Sequence, residues 1–388
     1  MEILNKARRI INNPGRYFTP EYLASYYRST RTSLMHHLPS GGFSCPPRWI
    51  AIVPTAQCNA RCKMCDIGQK MEGSAWVRQL KGPSGREPLS IEEWKSFIDD
   101  IRGFKPRLAF TGGEPLVYPH ILEMFEHINY RKLKFSNTTN GILLEKHAED
   151  MVRLGMSCLG VSVTGPPKIH DFIAGVAGAF EKIVNGIEAI KEAKAKYLKK
   201  DAPRVRINCP VFELNYMHLK EFASVVKDMP EVSMVTFTHQ YVKTKRMVDG
   251  HNHLSGDSFP ITASTNAVNP QNVDTERLIR ELDAAKAVLS EKQVIVRPEL
   301  SPSEIRIWYG NPHMFVKGHD KCKGAYSSAV ISANGDVVGP SSLCTNYVFG
   351  NIRDDTLLDI WNNEKYRKFR VLIEKKLFPI CSRCCRVC

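Results

Sequence analysis

The sequence has no long apolar run, no secretory leader and no low-complexity tract. A helix needs roughly 20 consecutive apolar residues to cross a bilayer, and no stretch of the chain approaches that length. The first residues, MEILNK, lack the apolar core of a secretory signal, so we expect a cytoplasmic protein. Hydrophobic residues make up 43% of the 388 positions, which excludes a disordered composition and suffices for a sizeable core.

Acidic residues are too few to balance the basic ones. Asp and Glu number 40 against 54 Lys and Arg, which gives a formal charge of +14. Such an excess favours anionic partners, namely phosphorylated metabolites, anionic membrane surfaces, nucleic acid or an acidic electron donor. Charge alone does not choose among these four classes.

Cysteine, by contrast, is abundant, with 12 residues. Disulfides are rare in a reducing cytoplasm, so metal ligation is the economical explanation. Cys58, Cys62 and Cys65 lie within eight residues, directly after the apolar run 49–54. Thiolates hold iron–sulfur clusters, and since four would saturate a cubane, three leave one iron open for a ligand. A zinc site, redox thiols or chance are the alternatives, although zinc sites usually show paired C-x-x-C units or histidines.

Short apolar runs alternate with helical patterns between residues 48 and 240. This rhythm predicts a parallel sheet with helices outside it, and six such units make a barrel or partial barrel. Ser90 followed by Glu93 predicts a capping-box start for the first helix. The predicted strands are 49–54, 107–111, 132–137, 158–163, 204–209 and 232–238. The predicted helices are 90–102, 119–129, 144–154, 178–198 and 216–228.

The unusual motifs all follow predicted strands. The cysteine loop follows the first strand, TGGEP at 111–115 the second, TNG at 139–141 the third and SVTG at 162–165 the fourth. In barrels of this type, the loops at the carboxyl ends of the strands carry the chemistry. The sequence therefore predicts one shared site at that edge of the sheet.

Two of these motifs resemble those of a known family. Cys58, Cys62 and Cys65 match C-x3-C-x2-C, and GGEP at 112–115 resembles a second signature of the radical S-adenosylmethionine (radical SAM) enzymes. The resemblance implies an α/β fold, a partial (β/α)6 TIM-like barrel. It also implies a 4Fe–4S cluster whose open iron chelates the amino and carboxyl groups of S-adenosylmethionine. An electron from the cluster then releases a 5′-deoxyadenosyl radical, which removes a hydrogen atom from the substrate.

The same resemblance implies contacts to the cofactor. Gly112 and Gly113 let the backbone approach a ligand closely, and Glu114 accepts hydrogen bonds from the amino group of S-adenosylmethionine. Met64 stands where an aromatic residue is usual, and its backbone would meet the adenine.

Asn140 and Ser162 are the expected contacts to the ribose or carboxylate of the cofactor, and the alternative is that both residues only form turns. The run after Ser162 resembles the S-x-D-G pattern of radical SAM proteins that carry an extra C-terminal cluster domain. Thr164 stands where Asp is usual, and Ala174 where Arg is common. A carboxylate-binding role of that Arg must be filled elsewhere or is absent.

The C-terminal segment resembles the SPASM module and the shorter twitch module. Its layout comprises a hairpin at Asn334-Gly335, a helix at 356–376 and a terminal C-x-x-C. The resemblance implies one auxiliary 4Fe–4S cluster closed by four thiolates. Its expected ligands are Cys322, Cys344, Cys381 and Cys384. Cys385 or Cys388 could substitute for one of the last two ligands, and a zinc knuckle is the competing interpretation.

Other residues with reactive side chains receive no role. Cys45, Cys158 and Cys209 are interpreted as apolar or loop cysteines. No catalytic acid or base is assigned. Four late candidates are interpreted as surface or structural residues: His239, His251, His253 and Arg297.

We expect four regions. Residues 1–47 form an N-terminal basic helical extension, 48–240 the radical SAM core, 241–316 a connecting segment and 317–388 a small hairpin-and-helix domain for the auxiliary cluster. The connecting segment contains a long loop at 249–270, a helix near 275–291 and a short strand at 294–297. We interpret the N-terminal extension as a cap on a domain edge, with peripheral membrane contact through residues 1–30 as the alternative.

The resemblance identifies a radical generator rather than a substrate. Our first hypothesis is an oxidoreductase or tailoring enzyme that acts on a small metabolite, a sugar or a lipid-linked compound, with the auxiliary cluster in electron transfer and a flavodoxin- or ferredoxin-type donor. The second is peptide or protein modification. The third, from another class, is a non-catalytic metal-containing protein that binds nucleic acid, although we expect no nucleic acid partner.

Overall fold

The computed structural model describes residues 41–71, 73–199, 202–240, 243–262, 269–316, 320–340 and 347–384. The helices predicted within residues 1–30, together with Cys344, Cys385 and Cys388, lie outside this part of the chain. The strands are β1 (Trp49–Ile52), β2 (Arg107–Phe110), β3 (Lys134–Thr139), β4 (Cys158–Ser162), β5 (Arg204–Val211), β6 (Val232–His239), β7 (Gln293–Arg297), β8 (Ser328–Ile331), β9 (Asp336–Val338) and β10 (Val348–Asn351).

The helices are α1 (Ala75–Lys81), α2 (Ile91–Ile101), α3 (Ile121–Tyr130), α4 (Leu144–Arg153), α5 (Pro167–Ala174), α6 (Ala179–Lys196), α7 (Leu219–Lys227), α8 (Lys245–Ser255), α9 (Thr275–Val288), α10 (Pro302–Gly310), α11 (Gly324–Ser327), α12 (Leu357–Trp361) and α13 (Glu364–Lys375). Short 3-10 turns cover Arg102–Phe104, Pro115–Val117, Tyr216–His218, Gly256–Ser258, Pro270–Asn272 and Pro379–Arg383. None of the described helices is long and apolar enough to cross a membrane.

The strands form one sheet in the order β10-β9-β8-β1-β2-β3-β4-β5-β6-β7. Strands β1 to β7 are parallel and pair in chain order, and β8 pairs in parallel with β1. The sheet does not close, because β7 and β10 are its two edges. This confirms the predicted α/β partial barrel, with the strand predicted at 294–297 as a seventh member of the wall.

Alternate side chains of each strand pack against the outer helices. Phe110 of β2 lies 5.0 Å from Phe125 of α3, which lies 4.9 Å from Phe135 of β3 (ring centroids). The opposite face carries small or polar residues such as Ala109 and Ser136, which pair in register. The sheet therefore buries its apolar face against the helices and presents a polar inner face.

The predicted start of the first barrel helix is confirmed. The Ser90 hydroxyl accepts from the Glu93 N–H, and the Glu93 carboxylate accepts from the Ser90 N–H, which forms a capping box at the start of α2. Glu93 also pairs with Arg353, from the segment after β10. The cap of α2 thus binds the C-terminal segment to the barrel.

The prediction of a long loop at 249–270 is wrong for the first third of that range. Residues 245–255 form α8, which begins at Thr244, whose hydroxyl accepts from the Met247 N–H. Met247 and His251 are buried, and the His251 ring bonds to the Phe259 carbonyl at 2.8 Å. Glycine and asparagine weaken the helical propensity of this stretch, and tertiary packing overrides it.

The C-terminal hairpin belongs to the same sheet as the barrel. The pairing of β8 with β1 matches Ile50 with Ala329 and Ile52 with Ile331. Asn334-Gly335 makes the turn between β8 and β9, as predicted, and Gly335 has φ +89°. The helix predicted at 356–376 is split into α12 and α13, because the Asn363 side chain accepts from the Tyr366 N–H and starts a new helix.

Candidate cluster and cofactor site

The cysteine loop is a tight turn held from within and by α5. The Cys65 N–H donates to the Cys62 carbonyl at 3.1 Å, and the Ala60 N–H donates to Cys58 Sγ at 3.4 Å. The Lys63 N–H donates to the carbonyl of residue 173, at the end of α5, at 2.9 Å. A side chain on Gly68 would place its Cβ 2.5 Å from the Cys62 nitrogen, so the turn leaves room for glycine only.

Burial raises the pKa of all three thiols of the cysteine loop. Burial, followed by the charges of Cys65 and Cys58, raises the pKa of Cys62 to about 12. Burial also raises the pKa of Cys58 and of Cys65. The sulfurs are therefore close enough to repel one another as thiolates, and a cationic centre would offset that cost because cluster iron binds the deprotonated form.

A single zinc ion and a cubane cluster require different arrangements of the thiols. Among the described residues, no three His, Cys, Asp or Glu side chains converge as ligands of one metal ion. A tetrahedral zinc site requires such convergence. A cubane does not, because each thiolate binds a different iron at a separate corner. The assignment of the three cysteines as cluster ligands stays a prediction.

The diglycine turn packs directly on the cysteine loop. The Glu114 N–H donates to the Gln57 carbonyl at 2.8 Å, and the Gly113 N–H donates to the Thr55 carbonyl at 3.2 Å. A Cβ on Gly113 would lie 2.1 Å from the Gln57 oxygen, and Gly112 has φ +131°. The contact between the two loops therefore requires glycine at 113, and the positive φ favours glycine at 112. The predicted contact of both residues with the cofactor stays a prediction.

Glu114 is a buried carboxylate. Its side chain is 1% exposed and accepts from the Asn140 N–H at 2.7 Å and the Leu116 N–H at 3.1 Å. Burial, only partly offset by these hydrogen bonds, raises its pKa to about 7. No Lys, Arg or His within the described chain forms an ion pair with it. A protonated amine is the group that would compensate this charge, so the residue fits the predicted contact.

Asn140 joins the third loop to the first. Its Nδ2 atom donates to the Asn59 side chain at 2.7 Å and approaches Cys58 Sγ at 3.7 Å. The structure thus brings the cysteine loop, Glu114 and Asn140 into one hydrogen-bonded edge. Ser162 ends β4 in register with Asn208. Met64 packs against a small apolar cluster of Ile173 and Phe212.

The run after Ser162 has a structural role. Thr164, which stands where Asp is usual, donates its N–H to His170 Nδ1 at 3.1 Å. Burial lowers the pKa of His170 to about 4. The Asp171 carboxylate accepts from the Gly178 and Phe180 N–H groups at 2.7 and 2.8 Å and orders the start of α6.

Three of the four predicted auxiliary ligands are described and buried in the main core. Cys322, Cys381 and Cys384 are each at most 9% exposed. Cys381 lies in the 3-10 turn Pro379–Arg383, and the Cys384 N–H donates to its carbonyl at 3.1 Å. Buried thiols suit cluster ligation, and the fourth predicted ligand lies outside the described residues.

Arg383 anchors this turn to the barrel. Its guanidinium is fully buried and donates to five backbone carbonyls: Ile307, Trp308, Asn311, Met314 and Ser382. The terminal cysteine pair is therefore held on the end of α10. This role of Arg383 was not predicted, because an arginine between two cysteines is typical of an exposed, charged position.

The late histidines lie in structural positions. His239 is buried, its Nδ1 atom bonds to the Tyr309 hydroxyl at 2.9 Å, and burial lowers its pKa to about 3. His251 bonds to the backbone near the end of α8. His253 is exposed on the same helix, and Arg297 ends β7 at the edge of the sheet.

Two family models match the chain. The radical SAM superfamily model matches residues 52–212, and the SPASM iron–sulfur cluster-binding domain model matches residues 322–385. Together they cover more than half of the sequence. A radical SAM domain carries a 4Fe–4S cluster and S-adenosylmethionine, and a SPASM domain carries auxiliary iron–sulfur clusters.

Curated relatives span most of the chain at modest identity. An AdoMet-dependent heme synthase of Methanosarcina barkeri is 27% identical over 339 residues, which are 84% of this chain and 85% of that protein. A tungsten-containing aldehyde ferredoxin oxidoreductase cofactor-modifying protein of Pyrococcus furiosus is 21% identical over 362 residues, 87% of each chain.

The solved structures agree in fold. The crystal structure of Streptococcus suis SuiB aligns with a TM-score of 0.60 at 15% identity, over 95% of this chain and 79% of that one. Other SuiB structures contain S-adenosylmethionine or the precursor peptide SuiA. At this identity the likeness concerns the fold alone.

Proposed function

Since the chain belongs to the radical SAM superfamily and carries a C-terminal SPASM domain, we propose that it reductively cleaves S-adenosylmethionine and abstracts hydrogen from a small-molecule substrate. The observation that carries this proposal is the joined edge of three loops. Glu114 contacts both the cysteine loop, through Gln57, and the third loop, through Asn140.

The chain's own residues have distinct roles in this proposal. Cys58, Cys62 and Cys65 would hold the cluster, which when bound would supply the one electron that cleaves S-adenosylmethionine into methionine and a 5′-deoxyadenosyl radical. Glu114 accepts hydrogen bonds from the amino group of the cofactor. Asn140 holds the cysteine loop against the Glu114 turn, which fixes the distance between the thiols and the carboxylate.

The remaining predicted contacts belong to the same proposal. Met64 offers its backbone to the adenine, Gly112 and Gly113 seat the Glu114 turn, and Ser162 faces the ribose or carboxylate. Cys322, Cys344, Cys381 and Cys384 would hold one auxiliary 4Fe–4S cluster, whose chemistry would be electron transfer, to accept an electron from the substrate radical or to relay one.

A small-molecule substrate is supported by the long alignment to a protein named as a heme synthase. The chain's charge of +14 favours an anionic or lipid-linked compound and an acidic flavodoxin- or ferredoxin-type donor. We also propose that the protein is cytoplasmic and that its chain divides into four regions, with boundaries after residues 47, 240 and 316.

The test is anaerobic reconstitution of the full chain, followed by reduction with dithionite. We expect about eight irons per chain, two cubanes, and formation of 5′-deoxyadenosine that is lost when all three cysteines of the first loop are replaced by alanine. A content of about four irons per chain would show that the protein holds one cluster, and the auxiliary cluster would then be withdrawn from the proposal. Cleavage that persists in the triple variant would contradict the main assignment.

Peptide modification is tested in the same preparation. The reconstituted enzyme is incubated with S-adenosylmethionine and either an extract of small metabolites or the peptides encoded beside its gene. Substrate-dependent loss of a metabolite supports the proposal. A mass change confined to a peptide would replace the small-molecule substrate with a peptide.

A further inference from the structure

A polar stripe runs along the inner face of β5. Val205, Ile207 and Cys209 are fully buried. Their side of the sheet faces the helices, because Phe237, the register partner of Cys209, packs edge to face on Phe222 of α7, with ring centroids 5.8 Å apart. Arg206 therefore lies on the opposite face, inside the partial barrel, where a charged side chain is unusual.

Three polar groups from the two strands that flank β4, namely β3 and β5, converge at Gly160 of β4. The point that a Cβ on Gly160 would occupy lies 2.7 Å from Asn208 Nδ2, 3.2 Å from Arg206 Nη2 and 3.4 Å from Thr138 Oγ1. A side chain at Gly160 would displace this group. The glycine thus leaves room for a guanidinium, a carboxamide N–H and a hydroxyl around one point.

Two buried polar atoms on this inner face, Arg206 Nε and Thr236 Oγ1, lack a hydrogen-bond partner among the described residues. The Arg206 Nε atom is buried and has no hydrogen-bond partner in the described part of the chain, and no described carboxylate forms an ion pair with this residue. On the next strand, Thr236 pairs in register with Asn208, and its buried hydroxyl also lacks a partner. Thr236 is 3% exposed. A buried donor without an acceptor destabilises the folded protein, and more so when it is charged, so a ligand that supplies acceptors is expected here.

The chemistry of the donors defines the ligand. A guanidinium offers planar, paired N–H groups that match the oxygens of a carboxylate or phosphate. Asn208 and Thr138 add donors of the geometry that an oxyanion accepts. Asn208 is in register with Ser162 at the carboxyl end of β4, so the group is continuous with the candidate cofactor site.

We propose that Arg206, with Asn208 and Thr138 around Gly160, binds the carboxylate or phosphate of a molecule held inside the barrel. This inference rests on the proposed function and names the anionic group that the inner face recognises. Two molecules can supply it: the carboxylate of S-adenosylmethionine or an anionic second substrate.

The test measures equilibrium binding to the reconstituted full-length protein without reductant, so that no turnover occurs. The variant is Arg206→Met, and the probes are S-adenosylmethionine, its decarboxylated analogue and pyrophosphate. Arg204→Met is the matched control, because Arg204 is exposed two residues earlier on the same strand. Arg206→Lys keeps the charge if the methionine variant does not fold, as judged by its melting curve.

Loss of a charge-assisted hydrogen bond predicts about ten- to hundredfold weaker binding. If the cofactor supplies the anion, the Arg206→Met variant binds S-adenosylmethionine more weakly by this factor, while its binding of the decarboxylated analogue is unchanged. If a second substrate supplies it, cofactor binding is unchanged and pyrophosphate binding weakens instead. Unchanged binding of all three probes, or equal losses in the Arg204 control, would overturn the inference.

Failure of the proposed function is distinguishable from failure of this inference. Pyrophosphate binding that depends on Arg206, in a protein that forms no 5′-deoxyadenosine, would retain the anion site and reject the radical chemistry. Cleavage of the cofactor with no dependence of binding on Arg206 would do the reverse.

Discussion

The sharpest consequence of the site is a pH-dependent affinity for S-adenosylmethionine that requires Glu114. Burial raises the pKa of this carboxyl to about 7, whereas an exposed glutamate titrates near 4.5. The ionised form is the one that accepts hydrogen bonds from the amino group of the cofactor. Affinity therefore falls as the pH falls through the pKa of the free protein.

The magnitude follows from the titration. A group with a pKa of about 7 is ionised in about three quarters of molecules at pH 7.5 and in about 3% at pH 5.5. If only the ionised form binds, the dissociation constant rises about 25-fold between these two values, equivalent to about 2 kcal/mol. A glutamate of ordinary pKa would change the affinity by less than about 10% over the same range.

The assay is equilibrium dialysis of S-adenosylmethionine against the oxidised holoprotein at five values between pH 5.5 and 7.5. Glu114→Gln should bind more weakly at pH 7.5 and lose the Glu114-dependent slope. Glu126→Gln is the control, because Glu126 is exposed and pairs only with Arg153 among described residues, at 3.2 Å. A wild-type profile that is flat, or one that survives unchanged in Glu114→Gln, would refute the reasoning.

Three further predictions concern packing. Gly113→Ala places a Cβ 2.1 Å from a backbone oxygen, so we expect a loss of about 1–3 kcal/mol in unfolding free energy and weaker cofactor binding, while Gly103→Ala, with open space around it, leaves both unchanged. Equal effects of the two would contradict the steric account. Arg383→Met removes the donor to five backbone carbonyls, and we expect at least about 3 kcal/mol of destabilisation and loss of the auxiliary irons by iron analysis; wild-type melting and iron content would reject this anchor. Asn334→Ala removes the fully buried side chain that donates to Asp336, and we expect it to lower the free energy of unfolding by about 1–3 kcal/mol, measured with denaturant. An unchanged free energy of unfolding would mean that the hairpin depends on Gly335 alone.

Sequence reasoning succeeded where the signal was local. The strand–helix rhythm, the capping box of α2 and the Asn334-Gly335 turn each depend on residues a few positions apart, and the structure confirms all three. It failed for α8, because the glycine, asparagine and histidine of that stretch favour a loop and only burial of its apolar side makes it helical.

Local sequence patterns could not predict that the C-terminal hairpin joins the barrel sheet. Ser328–Ile331 pairs with Trp49–Ile52, more than 270 residues earlier in the chain, and the sequence of neither strand indicates which strand it pairs with. The ligand predictions at Cys344 and at the last four residues lie outside the described chain and stay predictions.

By itself, the sequence determined the chemistry on offer: three thiols at close spacing, a diglycine–glutamate turn one strand later, and a cysteine-rich end. Chain order and spacing suffice for this, because each motif is contiguous. Only the tertiary structure decided how these groups act on one another. Burial sets the pKa of Glu114, and contact with the cysteine loop dictates glycine at 113. The same packing collects Arg206, Asn208 and Thr138 around Gly160, because β3 and β5 flank β4 in the sheet although Thr138 lies far from the other two residues in the sequence.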